Sequence, residues 1–182
     1  HLLALGLANN VLLLPHGVVQ PAETPASRST WGIGEDELVL ASFGFLLPHK
    51  GVDTLIDCIK PLARASKRRV RLLGLHSTLD SRSEEMLAKC MKQAHELGVD
   101  QQITWITDFR PIDECVQLLG MADYIVFPYR KTRESASGAV TIGVAALKPV
   151  LVSPLPIFSD LSDTTYRLTG EGVKEIVNAV CE

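Results

Sequence analysis

Residues 38–65 read LVLASFG, then FLLPHKG, then VDTLIDCIKPLARA. The first seven, Leu38 to Gly44, form a nearly unbroken apolar run of strand length that stops at a glycine. Phe45 to Gly51 interrupts the pattern with Pro48 and Gly51 and reads as a loop. From Val52 to Ala65 the apolar positions Val52, Leu55, Ile56, Ile59 and Leu62 fall three and four apart, as on the buried face of a helix. Strand, loop, helix is the repeating unit of this chain.

The unit recurs downstream. Val70–Gly74 reads as a strand and Ser83–Leu97 as a helix, with Gly98 placed to end it. Ile103–Ile106 precedes a short helix over Ile112–Met121, and Tyr124–Pro128 precedes a helix over Ser137–Leu147. Pro149–Ser153 is a further strand and Gly172–Val180 a last helix. Strands that alternate with helices predict an α/β fold: a doubly wound, mostly parallel Rossmann-like sheet with helices on both faces. The strands are continuously apolar, as burial of both sheet faces requires. Ligands of such sheets lie beyond the carboxyl ends of the strands, so the loops after Gly44, Gly74, Ile106 and Phe127 are where chemistry is expected. Upstream, Val11–Leu14 reads as a short strand, Pro15-His16-Gly17 as a turn, and Gln20–Thr30 as a linker. This divides the chain into an interdomain segment and linker, 1–30, and a main domain, 31–182.

Composition narrows the function classes. The 182 residues are 46% hydrophobic with a net charge of -3, which suits one globular core and gives no electrostatic footprint for nucleic acid. The strongest basic cluster, Lys67-Arg68-Arg69, reads as a solvated loop. Leu2–Leu14 is broken by Asn9 and Asn10 and falls short of the roughly 20 residues of a membrane span. The chain opens without Met, and we expect a domain cut from a longer protein and inactive alone. Cys58, Cys90, Cys115 and Cys181 are far apart with no metal-ligand spacing, so free thiols in a reducing cytosol and no metal are expected.

Two loops carry candidate chemistry. Lys50 lies at the mouth of a helix, where a lysine beside free amides suits a phosphate; the alternative is a solvated residue of an ordinary loop. Glu134 precedes the small residues Ser135-Ala136-Ser137-Gly138-Ala139, which read as a helix opening whose amides an anion can approach. Its carboxylate either caps that helix or accepts from ligand hydroxyls. No Walker loop, GxGxxG, GxSxG or HExxH is present, and the histidines form no triad pattern. Trp31 and Trp105 read as packing residues.

The order of these pieces resembles the C-terminal domain of the retaining glycosyltransferase group 1 family, which has the GT-B fold. Leu14-Pro15-His16-Gly17-Val18 is similar to the family's interdomain turn, and Phe43–Gly51 to its GR…KG loop. Ile106-Thr107-Asp108-Phe109, Ala122–Pro128 and the stretch from Glu134 to Pro149-Val150 follow in register. The resemblance implies a nucleotide-diphosphate-sugar donor bound by this domain, an acceptor bound by an N-terminal domain, and retaining hexosyl transfer without a cofactor or bound metal. It implies that Lys50 holds the diphosphate, with the amides of Ser135, Ala136, Ser137 and Gly138 on the same phosphates. Glu134 would meet hydroxyls of the donor sugar, and Asp108 and Phe109 would border the base. A cytoplasmic enzyme of polysaccharide or glycoconjugate synthesis is expected, peripheral to the inner face of the membrane when full length. Two positions depart from the family: its arginine is Phe45 here, and its second glutamate falls at Ile142. The stretch Glu134–Val140 is similar to a variant of a divergent bacterial branch. A non-catalytic doubly wound module that has lost donor binding is the competing expectation.

Overall fold

The computed structural model describes Gly6 and residues 17–21, 24–132, 134 and 136–182. The strand expected over Val11–Leu14, the turn at Pro15-His16 and the candidate Ser135 lie outside the described residues. Six strands form one sheet: β1 (Leu38–Phe45), β2 (Val70–Ser77), β3 (Ile103–Ile106), β4 (Tyr124–Phe127), β5 (Val150–Val152) and β6 (Tyr166–Arg167). Their order is β3-β2-β1-β4-β5-β6, and every neighbouring pair is parallel. Five helices connect or flank them: α1 (Val52–Ser66), α2 (Ser81–Glu96), α3 (Ile112–Leu119), α4 (Gly138–Ala145) and α5 (Val173–Cys181).

Alternate strand residues feed two cores. Leu38, Leu40 and Leu72 face α1, α2 and α5, while Val39, Ala41, Leu73 and Leu75 face α3 and α4. That two-sided burial explains why the strands read as apolar runs instead of alternating ones. Local signals set the helix ends. Asp80 caps α2 by accepting from the Ser83 amide, and Gly98 stands just past its end at φ 61°.

Strand order reverses between β1 and β4, and the pairing there is short. β1 matches β2 along its whole length, from Leu38↔Val70 to Phe45↔Ser77, but meets β4 only at Leu40↔Tyr124 and Ala41↔Ile125. Ser42 to Phe45 therefore run on without pairing to β4, and a crevice opens at the carboxyl end.

Some expectations shift. The helix expected from Ser137 starts at Gly138 with Ser137 as its N-cap, so Ala136 lies ahead of the helix instead of within its opening. β2 continues three residues past Gly74, and the two-residue β6 had no apolar signal. Lys67, Arg68 and Arg69 are exposed as a solvated loop should be, and the Arg68 and Arg69 guanidinium groups also reach Asp36, Glu37 and Asp123. Ala26 to Trp31 lies against the main domain: the Ala26 amide donates to the Gln117 carbonyl and Arg28 pairs with Asp123 at 3.0 Å. No helix among the described residues is long and apolar enough to cross a membrane.

Candidate functional site

A cavity of about 420 Å³ opens at the carboxyl ends of β1, β2 and β3, roofed by the starts of α3 and α4. Lys50, Asp108, Phe109, Glu134, Ala136, Ser137 and Gly138 all line it, as do the two departures Phe45 and Ile142. Residues from three separate loops, those after β1, β3 and β4, thus meet in one place. Its two ends differ in chemistry. One holds Lys50, Glu134 and the start of α4; the other is walled by Phe43, Ile106, Ile112, Cys115 and Ile142.

The Lys50 loop is held in place by the exit of β4. Gly51 has φ 70°, and a Cβ there would stand 2.0 Å from the Pro128 carbonyl oxygen, so only glycine fits this crossing. The Arg130 amide donates to the His49 carbonyl at 2.7 Å, and the Arg130 guanidinium reaches Asp53 at 2.9 Å. Lys50 is consequently 8% exposed although it sits in a loop. Burying an unpaired ammonium costs several kcal/mol. Two neighbours offset this: Nζ donates to Glu134 Oε2 at 3.2 Å and stands 4.2 Å from the centre of the Tyr129 ring.

Glu134 does not cap α4. Its carboxylate turns to the Lys50 loop, where Oε1 also lies 3.3 Å from His49 Nε2, poorly aligned for a hydrogen bond. Burial and the Lys50 cation hold the His49 imidazole below its ordinary range, against the opposing pull of Glu134. Ser137, at the N-cap of α4, makes no side-chain capping bond. Asp108 is drawn aside by Arg110, 3.0 Å away, while Phe109 is 73% exposed at the rim. Among the described residues no three His, Cys, Asp or Glu side chains come together as a metal site.

The residues missed in the sequence are Tyr129, Arg130, His49 and His76. His76 is fully buried beneath the β1 exit, with Nδ1 3.2 Å from the Gly44 carbonyl oxygen and no partner for Nε2 among the described residues. Burial pushes its pKa down to about 4, the Gly44 bond opposing and Lys50 adding to the shift. A basic residue after a strand gave no sign of this, because strand length and burial were both misjudged at Gly74.

A parallel sheet in this order, with a crevice at its switch point, defines a doubly wound α/β domain. The chain belongs to the glycosyl transferases group 1 family, whose model matches residues 23–174. A comparison with curated protein sequences gives no match. Among solved structures it is similar to HepE of Anabaena in complex with UDP and glucose, at 17% identity and a TM-score of 0.69, covering 85% of this chain and 40% of that one. Sucrose-phosphate synthase from Thermosynechococcus elongatus follows at 16% identity and a TM-score of 0.68, covering 86% of this chain and 39% of that one. WaaG, a glycosyltransferase involved in lipopolysaccharide biosynthesis, gives 18% and 0.66, covering 85% and 40%. The fold is that of one GT-B half, and the chain spans about two fifths of the length of these structures.

Proposed function

We propose that residues 31–182 are the donor domain of a retaining glycosyltransferase, with 1–30 as the interdomain segment and an acceptor domain elsewhere in the full protein. The donor is a nucleotide-diphosphate sugar, and the group transferred is a hexosyl such as mannosyl or glucosyl. Polysaccharide or glycoconjugate synthesis at the inner face of the membrane is the setting we infer. The UDP and glucose bound by the HepE structure support the choice of ligand class.

One observation carries this reading: a buried lysine lines the same cavity as the N-terminus of α4, with the Glu134 carboxylate beside it. The positive end of the helix and the Lys50 ammonium together suit a diphosphate. As the glycosidic bond breaks, negative charge grows on the departing nucleotide diphosphate, and Lys50 stabilises it where it grows. Glu134 would then exchange Lys50 for hydroxyls of the donor sugar. Asp108 and Phe109 would border the base at the apolar end. No step is assigned to a metal or cofactor.

Calorimetric titration of the chain with UDP-, GDP- and ADP-sugars tests the reading. One of them should bind, and Lys50→Ala should weaken it by about tenfold or more, the worth of a charge-assisted phosphate contact. Glu134→Gln should erase the preference for the sugar nucleotide over the bare nucleotide. A folded chain that binds none of them at millimolar concentration favours the second reading, a module without donor affinity. The apolar side chains at Phe45 and Ile142, both in the cavity wall, are what recommend that alternative.

A further inference from the structure

Tyr129 belongs to none of the motifs considered above, yet it touches both parts of the anion-suited end. It stands just beyond β4, after Pro128, is 1% exposed, and packs edge-on to Phe127 with Phe158 tilted against it. A polar side chain so deeply buried needs its hydroxyl satisfied, and it shares a 3.2 Å hydrogen bond with the Ser137 hydroxyl. The face of its ring lies 4.2 Å from Lys50 Nζ.

We propose that Tyr129 is a positioning residue with two functions: its ring holds the Lys50 ammonium toward the cavity, and its hydroxyl keeps Ser137 from capping α4. The inference rests on the donor-site reading of Lys50 and α4. Its first half follows from the asymmetry of the Lys50 contacts. Glu134 is the anion beside Lys50, but its side chain is 41% exposed and must turn away if it is to meet a ligand. The ring stays in place, because it is buried and packed against His49, Phe127 and Phe158. Lys50 therefore keeps one favourable contact throughout an exchange of partners, and its ammonium does not retreat into water.

The second half follows from Ser137. A serine at an N-cap ordinarily turns its oxygen to the amide two or three residues on. Here Ser137 has the extended backbone of an N-cap, at φ -123° and ψ 106°, and no such bond. Its oxygen points instead to Tyr129. Among the described residues no group accepts from the amides of Gly138 or Ala139. Among the described residues nothing caps the helix start, and none of them competes there with a phosphate oxygen.

The test reads the two functions separately. In the isotope-labelled chain, the Lys50 side-chain methylene signal, identified by its loss in Lys50→Arg, should lie upfield of the other lysines through the ring current of Tyr129. Tyr129→Phe should keep that shift and Tyr129→Leu should abolish it. Inorganic pyrophosphate and UDP, titrated into the same samples, should move the signal. Tyr129→Phe frees Ser137 to cap α4, so it should weaken pyrophosphate by about three- to tenfold without lowering Tm. Ser137→Ala added to Tyr129→Phe should restore the affinity, which loss of general packing would not allow. An ordinary Lys50 shift in the unmutated chain, or no rescue by Ser137→Ala, overturns the proposal while leaving the donor reading to the titration. An upfield Lys50 that neither anion moves overturns the donor reading, and the proposal with it.

Discussion

Both ends of the sheet carry buried charge, and they treat it in opposite ways. At the amino end, Arg71 holds Glu37 through two hydrogen bonds of 2.8 and 3.2 Å and spends a third donor on the Gln101 carbonyl. Arg28 and Arg68 add bonds to Asp123, Met121, Asp36 and the Glu37 carbonyl, and the second Asp123 oxygen accepts from the Val39 amide. Planar guanidinium groups meet these carboxylates and carbonyls through several bonds at once, so each charge has its partners inside the protein. At the carboxyl end, among the described residues, a lysine makes one bond to a half-exposed carboxylate, two imidazole nitrogens, of His49 and His76, lack a hydrogen-bond partner, and a helix starts without a side-chain cap. The first arrangement resists change. The second is stable enough to persist and incomplete enough to accept a partner.

Breaking the amino-end network should give the largest effect on stability. Arg71→Ala leaves Glu37 buried without its main partner, and urea denaturation should show a loss of about 3–5 kcal/mol. A loss below about 1 kcal/mol would mean that this pair is as exchangeable as the other. Next comes pH. His76 stays neutral in the folded state down to about 4, whereas in the unfolded chain it takes up a proton below its ordinary 6.5. Stability is therefore full above about pH 6.5 and falls between there and about 4, by on the order of 3 kcal/mol. His76→Gln should remove that slope. Burial raises the Glu37 carboxyl, but bonding and charge from Arg71 outweigh it and hold the group below 4.5, so the amino end loses stability only in stronger acid.

Lys50→Ala sharpens the comparison from the other side. It should lower donor affinity about tenfold or more while changing folding stability by less than about 1 kcal/mol, because its ion-pair partner is half exposed. The smallest effect concerns Leu147, which ends α4 at φ 54° and is 73% exposed. Leu147→Gly should stabilise the chain by about 0.5–1 kcal/mol by relieving the left-handed conformation, with no change in ligand binding. Thermal denaturation checks it.

Much of this was legible beforehand. The Lys50 loop was found because its signals are consecutive: an apolar run, a glycine, a proline and a helical period. Glu134 was found because it stands just ahead of a run of small residues that opens a helix, although its partner is 84 residues away. The start of α4 was misread because Ser, Ala and Gly from 135 to 139 have no period that marks a first turn. The Tyr129–Ser137 bond, which accompanies the extended backbone at Ser137, links side chains across a loop. β6 escaped notice since Tyr166 and Arg167 are exposed and owe their strand to pairing with β5.

The sequence by itself determined the succession of strands and helices, the two-sided burial of the sheet and the loops at which a ligand would be sought. Those depend on periodicity and on neighbours a few residues apart. Only the tertiary structure decided that Lys50 is buried, that the Tyr129 ring stands beside it, and that Ser137 makes no side-chain bond to its own helix. Each of these depends on which distant side chain fills the space around a charge. Burial and partnership are properties of the packed molecule, and no local pattern encodes them.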